Sequence, residues 1–216
     1  MIEKVIFTMI KELTHEPFAL ILTGASGAGK GTIGKALRKE FSSLKLSVSA
    51  TTRAKRPGEV EGVDYFFYSQ EEFMQAIKDE KMMEWAEVFG QYYGTPLKPV
   101  LDDFAKSHDV LFDIDWQGAR QIKEKLGIRA INIHILPPSK EILKQRLIER
   151  GQDSMEVIEG RMVKAASEIS HWKDCDYVIV NHELEAAIKE AKVIFLAECR
   201  RRIRLNYLDG IAKEFE

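Results

Sequence analysis

The residues best suited to chemistry in this 216-residue chain lie together in Gly24-Ala25-Ser26-Gly27-Ala28-Gly29-Lys30-Gly31-Thr32. Glycines at this spacing let the backbone turn so tightly that successive N–H groups aim at one anion, and a helix starting at the same point adds its partial positive charge. Lys30 would then neutralise the β- and γ-phosphates of a nucleotide. The strict pattern has Ser or Thr directly after the lysine, whereas here Gly31 stands in that place and Thr32 follows. The usual hydroxyl ligand for Mg²⁺ is therefore missing, which leaves phosphates and waters to hold the ion. By itself the loop defines a nucleotide-binding class that includes GTPases, ATPases and small-molecule kinases. A serine nucleophile elbow at Ser26 is disfavoured, because Ala28 stands where that turn needs glycine.

Further groups carry compatible chemistry. Arg53 and Arg56, three apart and beside hydroxyl groups, suit a phosphate with several oxygens to satisfy, although solvated arginines fit the same spacing. Asp113 and Asp115 are two apart on a predicted strand and so point to one face at its carboxyl end, where open α/β sheets bind ligands. They could organise Mg²⁺ waters or hold an acceptor; the competing reading is a cap on a helix beginning near Trp116. Arg146 and Arg150 share a helix face and Arg161 follows on the next helix. These cations could converge on a transferring phosphoryl group or pair with Glu149 and Glu159 at the surface.

The elements that must position these groups are legible from apolar periodicity. The run Phe18–Leu22, closed by glycine, predicts a buried strand, and Ile33, Ala36, Leu37 and Phe41 predict a helix from about Lys30 to Phe41. Further strands are expected at Leu46–Ala50, Tyr65–Tyr68, Val110–Ile114, Ala130–Leu136 and Tyr177–Val180. Ser69 with Glu72 reads as a capping box opening a helix to about Glu80, and Ser139 precedes a helical stretch to about Arg150. Alternating strands and helices predict a parallel sheet covered on both faces. Residues 47–96 break that rhythm and read as an inserted subdomain, while 150–165 read as a lid. The expected division is an extension at 1–17, one domain at 18–206 with its core in 18–46, 97–149 and 166–206, and a tail at 207–216.

The passage Ser47-Val48-Ser49-Ala50-Thr51-Thr52-Arg53-Ala54-Lys55-Arg56-Pro57-Gly58-Glu59-Val60-Glu61-Gly62-Val63-Asp64-Tyr65 resembles the GMP-binding signature of guanylate kinases. With the glycine loop, the Glu84–Thr95 stretch and Asp113-Ile114-Asp115, the resemblance runs from about Phe18 to Ile194 in the family's order, and the Gly-Lys-Gly-Thr variant occurs among nucleoside-monophosphate kinases. It implies a three-layer α/β P-loop kinase with a central parallel sheet, a GMP-binding insertion and a helical lid, transferring the γ-phosphoryl group of ATP to GMP with Mg²⁺. Arg53 and Arg56 would grip the GMP phosphate with Ser49, Tyr65 and Tyr93. Guanine offers N1–H and an exocyclic amine beside an O6 acceptor, so its site should supply a carboxylate and a hydroxyl, here Glu84 and Thr95; the family often has serine in place of Thr95. Seen alone, Glu84 would more often be a surface carboxylate. Asp115 would approach the guanine side, and Asp113 the metal and phosphates. Lys30, Arg53, Arg146, Arg150 and Arg161 would act on the migrating phosphoryl group. Asn181 matches a position beside the adenine of ATP, although asparagine after a strand is commonly a turn residue.

Composition fits this reading and excludes others. With 45% hydrophobic residues, 31% charged residues and a formal charge of −2, nothing global points to nucleic acid. No apolar run approaches the roughly 20 residues of a membrane-spanning helix, and the amino terminus lacks a signal-peptide pattern, so a cytoplasmic protein is expected. Cys175 and Cys199 make no metal or redox spacing, the five histidines form no zinc pattern, and no structural metal is expected. Arg200-Arg201-Arg202-Ile203-Arg204 reads as a solvated helix end. ATP and GMP are the expected partners of a monomer or homodimer. The rivals are a guanylate-kinase-like interaction domain without catalysis, disfavoured by Lys30; a kinase for AMP or dTMP, disfavoured by Glu84 and Thr95; and a switch GTPase, disfavoured by the lack of an Asn-Lys-x-Asp motif.

Overall fold

A computed structural model describes residues 15–88, 90–149, 151 and 154–215. Among these residues nine strands run β1 (Ala19–Thr23), β2 (Leu44–Leu46), β3 (Ala50–Thr51), β4 (Phe66–Phe67), β5 (Met82–Val88), β6 (Gln91–Pro96), β7 (Asp109–Asp113), β8 (Ala130–Leu136) and β9 (Tyr177–Val180). Among them lie α1 (Lys30–Glu40), α2 (Gln70–Lys78), α3 (Leu97–Ala105), α4 (Trp116–Leu126), α5 (Lys140–Glu149), α6 (Met155–Ser170), α7 (Leu184–Cys199) and α8 (Leu208–Lys213). The first sheet has the order β2-β7-β1-β8-β9 and its pairings are all parallel. Strand β1 sits at its centre with all five residues fully buried, which is why its sequence is a continuous apolar run and not an alternating one.

Side chains alternate across this sheet. Leu20 and Leu22 join Ile131, Ile133, Ile135 and Ile179 on one face, under Ile33 and Leu37 of α1 and Ala191 and Phe195 of α7. Ile21, Val110 and Phe112 face the other way, under Val100 of α3 and Ala119 and Ile122 of α4. Each fully buried Leu, Ile or Phe contributes about 1.5–3 kcal/mol of transfer free energy, so the three layers hold β1, and with it the start of the glycine loop, in a fixed place.

The expected strand Leu46–Ala50 is two strands in two sheets. Leu44–Leu46 pairs with Asp109–Leu111 in the first sheet, whereas Ala50–Thr51 pairs antiparallel with β6 and parallel with β4 in a second sheet of order β4-β3-β6-β5. The chain changes sheets across Ser47–Ser49, which no local apolar pattern marks. The expected capping box is present: Ser69 accepts from Glu72 N–H and the Glu72 carboxylate accepts from Ser69 N–H. Helix α4 ties the sheets together, because the Gln121 side chain exchanges hydrogen bonds with both backbone groups of Trp85 and Lys125 donates to the Met82 carbonyl at 2.7 Å.

The arginine run after α7 is a correction for Arg204. Arg201 and Arg202 are exposed as expected, but Arg204 is only 1% accessible. Its guanidinium donates to the Glu198 carboxylate and backbone carbonyl and to the Ile128 carbonyl, and lies over the Phe18 ring. The expected extension falls outside the described residues up to residue 14; beyond it, Glu16 N–H donates to the Arg204 carbonyl and His15 reaches Asp109.

Candidate active site

The glycine loop leaves the carboxyl end of β1 and enters α1, where parallel α/β sheets bind ligands. Two of its glycines are required by the backbone. Gly24 has φ 124° and a Cβ there would lie 2.2 Å from the Ile135 carbonyl oxygen; Gly29, with φ 109°, has the Asn181 amide where its Cβ would be. Lys30 folds back so that its ammonium donates to the Gly24 carbonyl, with the Asp113 carboxylate 4.0 Å away. Ala25 and Ala28 are buried beneath the loop, while Gly31 and Thr32 lie on its exposed flank.

Gly24, Ser26 and Lys30 form one wall of an open cleft of about 260 Å³, whose other side carries Ser49, Tyr65, Glu84 and Tyr93 of the second sheet region, with Asp113 and Asp115 between them. Glu84 is 4% exposed and its Oε1 accepts the Thr95 hydroxyl at 2.7 Å. Burial raises its carboxyl to about 7, with the Thr95 bond working against that shift and Asp115 adding to it. Its β-strand setting, opposite Thr95 in the β5–β6 register, explains why these two side chains meet.

Asp113 and Asp115 do not share a strand face, correcting the expectation. Strand β7 ends at Asp113, and Asp115 is the N-cap of α4, accepting from Gln117 and Gly118 N–H at 3.0 and 3.1 Å. Both still reach the cleft because the chain turns between them. Desolvation at the cleft floor raises Asp113 above the ordinary carboxylate range while Lys30 opposes it, and its side chain stays 37% exposed.

The arginines are spread around the cleft. Arg53 donates to Glu59 Oε1 at 2.7 Å and its guanidinium lies 5.4 Å from the Tyr65 ring centre, so Glu59 holds it fully charged; Arg56 is exposed nearby, its backbone N–H on the same carboxylate. Arg161 donates to Ser26 Oγ at 2.9 Å, bringing α6 onto the glycine loop. Arg146 donates to the Asn181 carbonyl at 3.0 Å, and its Nη1 is buried with no hydrogen-bond partner among the described residues. Arg150 lies outside the described residues. Asn181 is buried; its amide donates to the Ala28 carbonyl at 2.8 Å and its Oδ1 has no hydrogen-bond partner among the described residues. It braces the loop and holds an unused acceptor, a role its position after a strand did not disclose.

Two charged residues on the cleft were missed. Lys164 and Glu168 of α6 line it beside Lys30, and burial raises Glu168 above the usual carboxylate range. Their signal was available, since Arg161, Lys164 and Glu168 follow the i, i+3, i+7 spacing of one helix face. Behind the loop, Thr23 donates its single hydroxyl proton to Asn132 Oδ1 at 2.9 Å, so the 3.0 Å contact with His134 requires Nδ1–H of that ring to donate. Burial, with Lys30 nearby, lowers His134 to about 4 and keeps it neutral. Separately, His15, Asp109 and Cys199 gather within 4.8 Å of one another, a cluster hidden by their distance in sequence; Asp109 already accepts from His15 and from Phe18 N–H, and burial holds Cys199 as a thiol.

A parallel sheet, a phosphate loop on its central strand and a cleft with a second, mixed sheet opposite define a P-loop nucleotide-binding α/β protein. The family model described as guanylate kinase matches residues 17–198. The chain is 48% identical over 190 residues to a guanylate kinase of Maricaulis maris (strain MCS10), covering 88% of this chain and 87% of that protein. It is 50% identical over 202 residues to one of Ruegeria pomeroyi (strain ATCC 700808 / DSM 15171 / DSS-3), covering 91% and 95%. The crystal structure of guanylate kinase from Anaplasma phagocytophilum superposes with a TM-score of 0.75 at 36% identity, covering 92% of this chain and 95% of that one. This chain belongs to the guanylate kinase family, and it is an enzyme of that family.

Proposed function

We propose that the chain catalyses transfer of the γ-phosphoryl group of ATP to an oxygen of the GMP phosphate, giving ADP and GDP, in the cytoplasm and as a monomer or homodimer. The observation that supports it best is one cleft with a phosphate-loop lysine on one wall and the buried Glu84–Thr95 pair on the other. Glu84 accepts guanine N1–H and the 2-amino group, and Thr95 keeps the carboxylate oriented while adding its hydroxyl. Ser49, Arg53, Arg56, Tyr65 and Tyr93 hold the GMP phosphate, and Asp115 stands on the guanine side. The loop from Gly24 to Thr32 cradles the ATP phosphates through backbone N–H groups and Lys30. Asn181 sits on the adenine side of the loop and braces it from beneath, its amide donating to the Ala28 carbonyl.

Phosphoryl transfer takes place mainly through positioning and charge neutralisation. Lys30, Arg146, Arg150 and Arg161 spread positive charge over the γ-phosphoryl as the bond to the β-phosphate oxygen breaks and the bond to the GMP oxygen forms. Residues 150–165 act as the lid, residues 47–96 as the acceptor unit. The acceptor phosphate is already largely ionised near neutral pH, so no general base is assigned. Asp113 fits Mg²⁺, a hard oxygen donor beside Gly31, with a carboxylate oxygen 3.5 Å from where a Cβ of that glycine would stand. Mg²⁺ held there would supply neutralisation of the negative charge on the nucleotide phosphates.

The test is ADP release with ATP and Mg²⁺ against GMP, dGMP, AMP, CMP and UMP. Turnover should depend on GMP or dGMP and be lost in Lys30→Ala. Equal turnover of AMP would overturn the acceptor assignment, and GMP binding without turnover would favour a non-catalytic binding domain.

A further inference from the structure

Glu84 is confined on two sides. Oε1 holds the Thr95 hydroxyl, and Oε2 lies against Gly118, the third residue of α4. A Cβ built on Gly118 would stand 2.6 Å from Glu84 Oε2, 3.1 Å from its carboxyl carbon and 3.1 Å from Ile114 Cδ1. The backbone does not ask for glycine here: Gly118 is helical, outside the left-handed region, and its N–H is met by Asp115. Helix propensity gives glycine no advantage here either, since alanine is the better helix former. What this position gains is the space that the carboxylate occupies.

We propose that Gly118 is a specificity-determining positioning residue: by lacking a side chain, it lets the Glu84 carboxylate lie against the first turn of α4 in the plane that meets a guanine edge. The inference rests on the reading of Glu84 as the guanine acceptor. Two donors on one base edge, N1–H and the 2-amine, demand a carboxylate whose plane and height are both set. Thr95 fixes one oxygen, and only a bare Cα leaves room for the other. A methyl group at 118 turns the carboxylate out of that plane without touching the ATP side of the cleft.

The experiment compares Gly118→Ala with the parent in steady-state kinetics on GMP and IMP, which lacks the 2-amine, together with thermal unfolding. The KM for GMP should rise by about 10-fold or more, the loss of a hydrogen bond to a charged group. The preference for GMP over IMP should shrink, kcat and the KM for ATP should stay within about threefold, and Tm should not fall, because alanine is the better helix former. In a Glu84→Asp background, whose carboxylate is withdrawn by one methylene, adding Gly118→Ala should raise the KM for GMP far less than it does in the parent. Unchanged KM for GMP and unchanged GMP-over-IMP preference would overturn the proposal. So would a lower Tm with both substrate KM values raised together, which would mark Gly118 as a packing position. A parent enzyme indifferent to the base would instead remove the underlying reading of Glu84.

Discussion

In the proposed role Glu84 would have to be buried to read a base and charged to accept from it, and the two requirements oppose each other. With its carboxyl raised to about 7 from an ordinary 4.5, the folded protein holds this proton more tightly than the unfolded chain does between those values. Stability from this group is therefore greatest below about pH 4.5 and is lost as pH rises through about 7, by on the order of 3 kcal/mol. Glu84→Gln removes that penalty while keeping an oxygen for Thr95. The variant should be more stable than the parent in urea at pH 8 and lose that advantage near pH 4.5, while its KM for GMP rises at least tenfold. A Glu84→Gln variant no more stable than the parent at pH 8 would show that the carboxylate is not stressed by its site.

At the scale of elements, the link between α7 and the sheet depends on Arg204. Its guanidinium, Glu198 and the Tyr177 hydroxyl form a buried group in which the carboxylate accepts from Tyr177 at 2.6 Å and from Arg204 at 3.2 Å. Arg201 also reaches the Glu198 carboxylate, at 3.3 Å from the surface side, so removing Arg204 weakens the compensation of that buried charge without abolishing it, and Arg204→Ala should destabilise the protein by about 3 kcal/mol, the lower end of the cost of breaking a buried pair. Replacing both charges, as in Arg204→Met with Glu198→Gln, should cost markedly less; equal losses in urea unfolding would mean that the damage is loss of packing over Phe18. The sequence displayed these arginines as a basic run because charge alone marks a surface; the cavity that receives one of them is made by Phe18 and Ile128, more than 70 residues away. Periodicity did place β1, α1, β8 and β9 to within a residue at either end. It joined Leu46 to Ala50 because the change of sheet there is made by partner strands, not by the residues themselves.

For the molecule as a whole, two sheets are held by α4 around one cleft, so ligands that engage the cleft stabilise the fold by mass action. GMP at about 100 times its Kd should add about 2.7 kcal/mol, which for a chain of this length raises Tm by roughly 5–10 °C. AMP at the same concentration should leave Tm within a degree or two, and an equal shift by both nucleotides would deny the base-reading role of the second sheet. What the sequence determined by itself was what is encoded locally: the glycine loop, whose positive-φ residues and lysine are adjacent; the inner strands of the parallel sheet and the helices opening at Lys30, Ser69 and Ser139, though not β5 and β6 as strands; and the family, from motifs in order. Only the tertiary structure decided which distant side chains meet. Glu84 became a buried acid because β6 and α4 close over it, Asp115 became a helix cap because β7 ends two residues earlier, and Gly118 gained its meaning from a carboxylate 34 positions away. Short-range pattern fixes where a side chain points, but the field and the space it meets are set by elements folded from elsewhere in the chain.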